Sequence, residues 1–280
     1  MKIGVLVDSF QKGFKTGVET AASLGLQGIQ AYLNDGEMAV ENLSATKISE
    51  VKKILSDNNI ELAAVCGDAY FPTEFMIKEE NPKRIERMKM IMQKTKELGG
   101  NIVTSHAGVI PEDDTMDRYK TLQEAFAKLG AIAEEIGVYF SIETGMETAP
   151  VLKKFLSSLG CKNVKVNLDP ANFVMVSKQD PVEAVHLLKD YIVSTHAKDG
   201  KCLKYLGVEK IYNPAPGLDR SYWSECFIET PLGEGEIDWN AYINALKQID
   251  YDGYLTIERE VGDDPTADIT LAANLLKNLI

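Results

Sequence analysis

Four residues carry the chemistry this chain is equipped for: Glu143 in FSIETG, Asp169 in VNLDPAN, His196 in VSTHAKD and Glu258 in LTIERE. Each ends an otherwise apolar run, and the four runs follow one another along the chain. Three carboxylates brought together repel and lose acidity unless a cation neutralises them, so their convergence implies a bound metal. One imidazole with three carboxylates is a hard, oxygen-rich donor set, suited to Mn2+ or Mg2+ rather than to a thiolate zinc site. Taken singly, each has a plain structural reading: an Asp capping the next helix, a half-buried His bonded to a carbonyl, a rim Glu facing water. Four at matching positions on successive strands favour the metal. One ion per chain is expected, Mn2+ first, with Mg2+, Co2+ or Zn2+ as alternatives.

Such groups meet only if parallel strands bring their C-terminal ends together. Short Val- and Ile-rich runs alternate with stretches of helical period along the 280 residues, the pattern of βαβ units around a parallel sheet. Strands are expected at 3–7, 28–32, 61–66, 101–105, 139–143, 164–168, 192–196 and 253–258. Helices are expected at 16–24, 48–58, 82–98, 119–136, 149–159, 181–190, 238–248 and 265–278. Asp180-Pro181 and Asp264-Pro265 set an N-cap acid before a proline, while Gly99-Gly100 and Gly137 follow helices where a C-terminal glycine is favoured. Eight such units without a low-complexity linker predict a single (β/α)8 TIM barrel domain over 1–280. In barrel enzymes the reacting groups come from C-terminal strand ends and the loops after them. An open doubly wound sheet is the runner-up, but Asp8-Ser9-Phe10 offers no glycine-rich dinucleotide turn. The segment at about 198–236 reads as a long irregular loop between the seventh strand and seventh helix. Its Tyr205, Tyr212, Trp223 and Phe227 would either wall a sugar site or pack the loop onto the barrel.

Net charge is −12 with the basic residues scattered, so nucleic acid is not an expected partner. No stretch approaches the roughly 20 apolar residues of a membrane span, and MKIGVLVDSF reads as a first strand rather than a signal peptide. Cys66, Cys161, Cys202 and Cys226 form no CxxC pair, which fits reduced thiols in a cytoplasmic protein, with Cys66 buried on a strand. A homo-oligomer is left open.

The motifs IETG, NLDPAN, HAKD, PLGEGEIDW and IERE together resemble the sugar isomerase/epimerase superfamily with the xylose isomerase-like barrel, over nearly the whole chain. That superfamily includes ketose 3-epimerases and hydroxypyruvate isomerase-like proteins and, more distantly, endonuclease IV-type repair enzymes. The resemblance implies that Glu143, Asp169, His196 and Glu258 are the metal ligands, with Glu143 and Glu258 doubling as the acid/base pair. It implies an isomerase or epimerase of a ketose or related polyol ketone working through an enediolate. A lyase or dehydratase on a keto-sugar or inosose is the alternative, and a non-catalytic sugar-binding barrel the third. Ketose 3-epimerases usually carry a histidine three residues after the strand-six aspartate, where this chain has Asn172, and their strand-seven arginine has no clear counterpart. The repair enzymes bind three zinc ions through more histidines than His106, His186 and His196 provide.

Further candidates are substrate-binding. His106, ending the fourth strand in VTSHAG, would reach a substrate hydroxyl or shuttle a proton. Asn172 would bond a hydroxyl or serve as a turn residue, and Lys198 would pair with a substrate oxygen or Glu258, or point to solvent. Glu147 either lines the pocket or, preferably, caps the fifth helix, and His186 reads as structural. Asp263 and Asp264 after the eighth strand would repel a phosphate, with Lys198, Lys201 and Lys204 as the counterargument, so an unphosphorylated substrate is expected.

Overall fold

The structure, a computed structural model, describes residues 1–70, 73–212 and 221–280. Its elements run β1 (Lys2–Leu6), α1 (Phe14–Ser23), β2 (Gly28–Tyr32), α2 (Ala45–Asp57), β3 (Glu61–Cys66), α3 (Asn81–Leu98), β4 (Ile102–Ser105), α4 (Asp117–Ile136), β5 (Tyr139–Glu143), α5 (Ala149–Ser158) and β6 (Val164–Leu168). A single turn α6 (Pro170–Asn172) runs into a π-helical turn (Phe173–Ser177), followed by α7 (Pro181–Leu188) and β7 (Ile192–Ala197). Then come β8 (Asp199–Cys202), α8 (Val208–Tyr212), α9 (Trp223–Cys226), β9 (Phe227–Thr230), α10 (Trp239–Gln248), β10 (Tyr254–Ile257) and α11 (Pro265–Leu279).

Eight of these strands, β1 to β7 and β10, form a closed parallel barrel, sealed where β1 pairs with β10 from Lys2↔Tyr254 to Val5↔Ile257. The expected (β/α)8 barrel is thus the fold, with element ends shifted by at most three residues. Helices cover it through the faces their apolar period supplies. In α4, Leu122, Phe126, Leu129 and Ala133 are buried at helical spacing, and the Phe126 ring lies 5.5 Å from Phe140 on β5 and 5.4 Å from Phe75. Helix ends follow the local signals: Asp180 accepts from the Val182 N–H and Asp264 from the Ala267 N–H, and Gly99 and Gly137 take the left-handed conformation after α3 and α4. No helix among the described residues is long and apolar enough to cross a membrane. The four cysteines are unpaired, and Cys66 is buried as expected.

The segment at 198–236 departs from the expected irregular loop. Residues 213–220 lie outside the described part, but β8 and β9 pair as an antiparallel hairpin, Asp199↔Thr230 to Cys202↔Phe227. The anchor is Asp199 of HAKD. Its Oδ2 accepts from the Gly233 N–H at 2.8 Å and the Trp239 indole at 2.9 Å, and its Oδ1 from the Gly200 N–H at 2.8 Å. Gly235 packs so closely on this carboxylate that a β-carbon would collide with it. The PLGEGEIDW motif is therefore the chain wrapping one buried aspartate, which seats the hairpin beside the strand ends.

Candidate metal and acid/base site

Strand alternation decides which side chains reach the barrel axis. In β7 and the residues after it, His196 and Lys198 turn to the axis side while Asp199 takes the hairpin; after β10, Glu258 and Glu260 both reach Lys198 while Arg259 bonds Asp268 of α11 and Glu229 of β9. Glu143 is the last residue of β5, and Asp169 follows β6 directly.

The four expected ligands converge. Each offers one ligand atom, and these lie within 4.8 Å of one another, all buried. His196 Nδ1 lies 2.9 Å from Glu258 Oε2 and 3.4 Å from both Glu143 Oε1 and Asp169 Oδ2. Asp169 also fulfils the plain capping reading: its Oδ1 accepts from the Ala171 N–H at 2.8 Å and the Asn172 N–H at 3.0 Å. The second oxygen is left over. Among the described residues, Asp169 Oδ2, His196 Nδ1 and Glu258 Oε2 are buried without an aligned hydrogen bond, although Lys198 lies 3.3 Å from Glu258 Oε2, so three acceptor-capable atoms point at one spot. Buried atoms are rarely orphaned without reason, and a divalent cation fits this donor set.

The back of His196 is equally built. Gln30 Oε1 and the Asn167 amide each sit 3.1 Å from Nε2. A proton on Nε2 donated to Gln30 would leave the Nδ1 lone pair for an ion held among the carboxylates, the support that orients a metal-binding imidazole. Gln30 itself donates to Thr104 Oγ1 at 3.2 Å. Sequence reasoning missed Gln30 because it is 166 residues from His196 and reads as one more strand residue.

The two glutamates differ. Burial dominates at Glu143 and raises its carboxyl, against the pull of His196 and His106. Burial also opposes ionisation of Glu258, but Lys198 and then His196 outweigh it and hold that carboxyl well below the usual range. At His196 burial disfavours charge, yet Glu258 and Glu143 push the imidazole well above its ordinary value.

Among the expected substrate groups, Lys198 is buried and turned from solvent. Its ammonium lies 2.5 Å from Glu260, 3.3 Å from Glu258 and 3.8 Å from Glu229, so the Glu258 pairing is the one realised. Asn172, in the turn after Asp169, donates to the Thr144 carbonyl at 3.0 Å and lies 3.5 Å from Glu143 Oε1. It packs on Gly145, whose φ of 128° and missing side chain permit the approach. His106 directly follows β4 and is buried, its Nε2 3.9 Å from Glu143 Oε1. Asp68, which sequence reasoning missed, holds the other face of that ring.

Above the cluster opens a cavity of about 820 Å3, lined by Tyr32, Asp68, His106, Asn172, Lys198 and Glu258 among others. Tyr212, Trp223 and Phe227 line it too, so three of the four excursion aromatics wall the site. Tyr205 does not: it is 53% exposed on the outside. A second cavity of about 680 Å3 lies at the opposite mouth of the barrel, near Asn101, Gly253 and Tyr254, away from the cluster. His186 sits exposed in the last turn of α7, distant from the site's elements.

Glu147 corrects both readings made of it. The N-cap of α5 is Thr148, and Glu147 is buried with no aligned hydrogen bond to either oxygen among the described residues. Burial pushes its carboxyl up to about 8. The folded chain then keeps a proton that the unfolded chain loses above its ordinary value of 4.5, so this group makes stability fall as pH rises from about 4.5 to about 8. Glu147→Gln is expected to remove up to about 1.4 kcal/mol per pH unit of that slope. Urea unfolding of both forms across the window checks it; parallel stability curves would show that Glu147 is ionised in the fold.

The chain belongs to the xylose isomerase-like TIM barrel family, whose model matches residues 18–279. A curated relative, an inosose dehydratase of Clostridium perfringens, is 27% identical over 148 residues, 51% of this chain and 48% of the relative. The chain therefore spans about half the length of that relative in the match. Among solved structures, a xylose isomerase domain protein from Planctomyces limnophilus superposes with a TM-score of 0.79 at 24% identity, covering 99% of this chain and 96% of that one. A probable 3-DHS dehydratase from Bacillus anthracis gives 0.77 at 20% identity over 99% of both chains. D-Psicose 3-epimerase from Clostridium cellulolyticum gives 0.74 at 16% identity over 100% of this chain and 99% of that one. These likenesses speak to the fold.

Proposed function

We propose that the chain is a divalent-metal-dependent isomerase or epimerase of an unphosphorylated ketose or related polyol ketone. The observation that carries this reading is the convergence of Glu143, Asp169, His196 and Glu258, with three orphaned ligand atoms, beneath the large cavity. These four residues would hold the ion. When bound, it supplies electrophilic stabilisation of the negative charge that develops on the substrate oxygens.

The chain's own residues do the rest. Glu143, the last residue of β5, and Glu258, just after β10, lie 3.4 Å and 2.9 Å from His196 Nδ1 and would remove a proton from the carbon beside the carbonyl and return it. Return to the same carbon from the other face epimerises; transfer to its neighbour isomerises. Lys198 keeps Glu258 anionic, Asn172 and His106 present polar groups to substrate hydroxyls, and Tyr212, Trp223 and Phe227 give an apolar wall that excludes water.

An unphosphorylated substrate is supported by charge. Lys198 is the only lysine or arginine among the described lining residues, and it is committed to carboxylates. Asp264 caps the N-terminus of α11 after β10, where its carboxylate would repel an anion. Lys201 and Lys204 do not line the cavity.

A dehydratase acting on an inosose or keto-sugar is the second reading, favoured by the curated relative being an inosose dehydratase. It shares the proton removal and adds loss of a hydroxyl. NMR in deuterated water with Mg2+ or Zn2+, over ketoses, phosphorylated ketoses and inososes, separates the two. Deuterium in recovered or rearranged unphosphorylated ketose is expected, whereas net loss of water assigns the dehydratase. A preference above tenfold for a phosphorylated ketose would sink the charge argument, and no exchange with any compound would leave a binding barrel.

A further inference from the structure

His106 directly follows β4, with its ring clamped from one side. Asp68, two residues beyond β3, lies beside it because Gly67 continues the β3–β4 pairing through its N–H to the Thr104 carbonyl at 2.9 Å. Asp68 Oδ1 accepts two donors, the His106 backbone N–H and the Ser105 hydroxyl, each at 2.7 Å. Asp68 Oδ2 lies 2.6 Å from His106 Nδ1. A backbone N–H can only donate, so the carboxylate is pinned and its second oxygen has one task. An oxygen that only accepts, this close to Nδ1, requires the proton to be on Nδ1.

We infer that Asp68 is a positioning residue that holds His106 with its proton on Nδ1, so that Nε2, on the Glu143 side of the cavity, is the nitrogen that exchanges a proton with a substrate oxygen. This rests on the function proposed above and adds to it a proton path separate from the carbon acid/base pair. The step balances simply: the Nε2–H bond breaks with its electron pair staying on nitrogen, and the proton forms a new O–H bond on the substrate. The reverse regenerates the ring. Nε2 stands 3.9 Å from Glu143 Oε1, and both Asp68 and His106 line the cavity.

Asp68, His106 and Glu143 also lie close enough to suggest a second cation. The 2.6 Å contact between Asp68 and Nδ1 argues against one there. Two ligands of one ion each stand about 2.0–2.2 Å from it on separate sides, whereas this spacing is that of a charge-assisted hydrogen bond.

Asp68→Asn tests the assignment without changing shape. The two donors on Oδ1 hold the amide oxygen there, so the NH2 group faces Nδ1, which must then accept. The proton is forced to Nε2. Long-range 1H–15N spectra of the Mg2+-loaded protein, in which three histidines are simple to distinguish with His106→Asn as reference, should show a proton on Nδ1 of His106 in the parent, and an unprotonated Nδ1 with the proton on Nε2 in Asp68→Asn. With the substrate found by the ketose panel, kcat should fall by about 100-fold to 10,000-fold while KM changes little. A merely structural aspartate would leave the tautomer unmoved. An Nδ1 that carries no proton in the parent overturns the inference even if the variant does not fold, and so does a second Mg2+ per chain lost in Asp68→Asn. If no polyol ketone reacts yet the parent carries Nδ1–H, the proposed function fails and the tautomer assignment stands.

Discussion

Glu258→Gln is expected to bring hydrogen exchange on the substrate close to zero while the barrel stays folded and the divalent ion stays bound. Glutamine keeps the side chain's shape and one ligating oxygen, but it cannot take up the substrate proton. Losing a positioned acid/base group typically costs about 100-fold to 10,000-fold in rate. Stability should change little, because Lys198 is not stranded as a buried charge: it keeps Glu260 at 2.5 Å and Glu229 at 3.8 Å. Glu143→Gln should cost rate comparably, since Glu143 is the partner across the site. The measurement is solvent-deuterium exchange at saturating Mg2+, with circular dichroism and ion content read on the same samples. Parent-rate exchange by Glu258→Gln would reduce that residue to a ligand.

Asp169→Asn should fail in a different way, through the ion. Asparagine is as good an N-cap as aspartate, so the bonds from the Ala171 and Asn172 N–H groups survive on its oxygen. The backbone on either side is held independently, by Thr144 Oγ1 at 2.8 Å from the Asp169 nitrogen and 3.1 Å from its carbonyl oxygen. What changes is the orphaned Oδ2, replaced by an NH2 group that faces the cluster and repels a cation. Supporting residues behind a metal ligand already cost about 10-fold to 100-fold in affinity when altered, so a direct ligand should cost more than about 100-fold. Titration calorimetry with Mn2+ measures this, and excess ion should restore part of the activity. An unchanged Kd would remove Asp169 from the ligand set. The two variants thus separate proton transfer from ion binding at neighbouring positions.

How much of this site was legible depended on whether a residue's partner was near in sequence. Helix caps are local, so Asp180, Asp264, Gly99 and Gly137 declared themselves through their immediate neighbours. The convergence of the four candidate ligands was legible for a related reason: each interrupts an apolar run at a strand's end, and a barrel must gather those ends. Asp199 was visible only as a letter in HAKD, since its partners Gly233 and Trp239 lie 34 and 40 residues away. The hairpin it anchors escaped notice because DGKC and FIET are four-residue strands without a long apolar alternation.

Apolar periodicity and strand-end polarity, both properties of short stretches, were enough to determine eight βα units, their order and the donor types that face one another. Barrel closure decided the rest. It is the β1–β10 pairing and the tilt of the strands that set Gln30 behind His196, Asp68 beside His106, and Lys198 among three carboxylates. It also decided that Glu147 is buried rather than a cap and that Tyr205 stays outside the aromatic wall. Side-chain orientation and burial are fixed by neighbours from remote strands, and those neighbours exist only once the sheet has closed on itself.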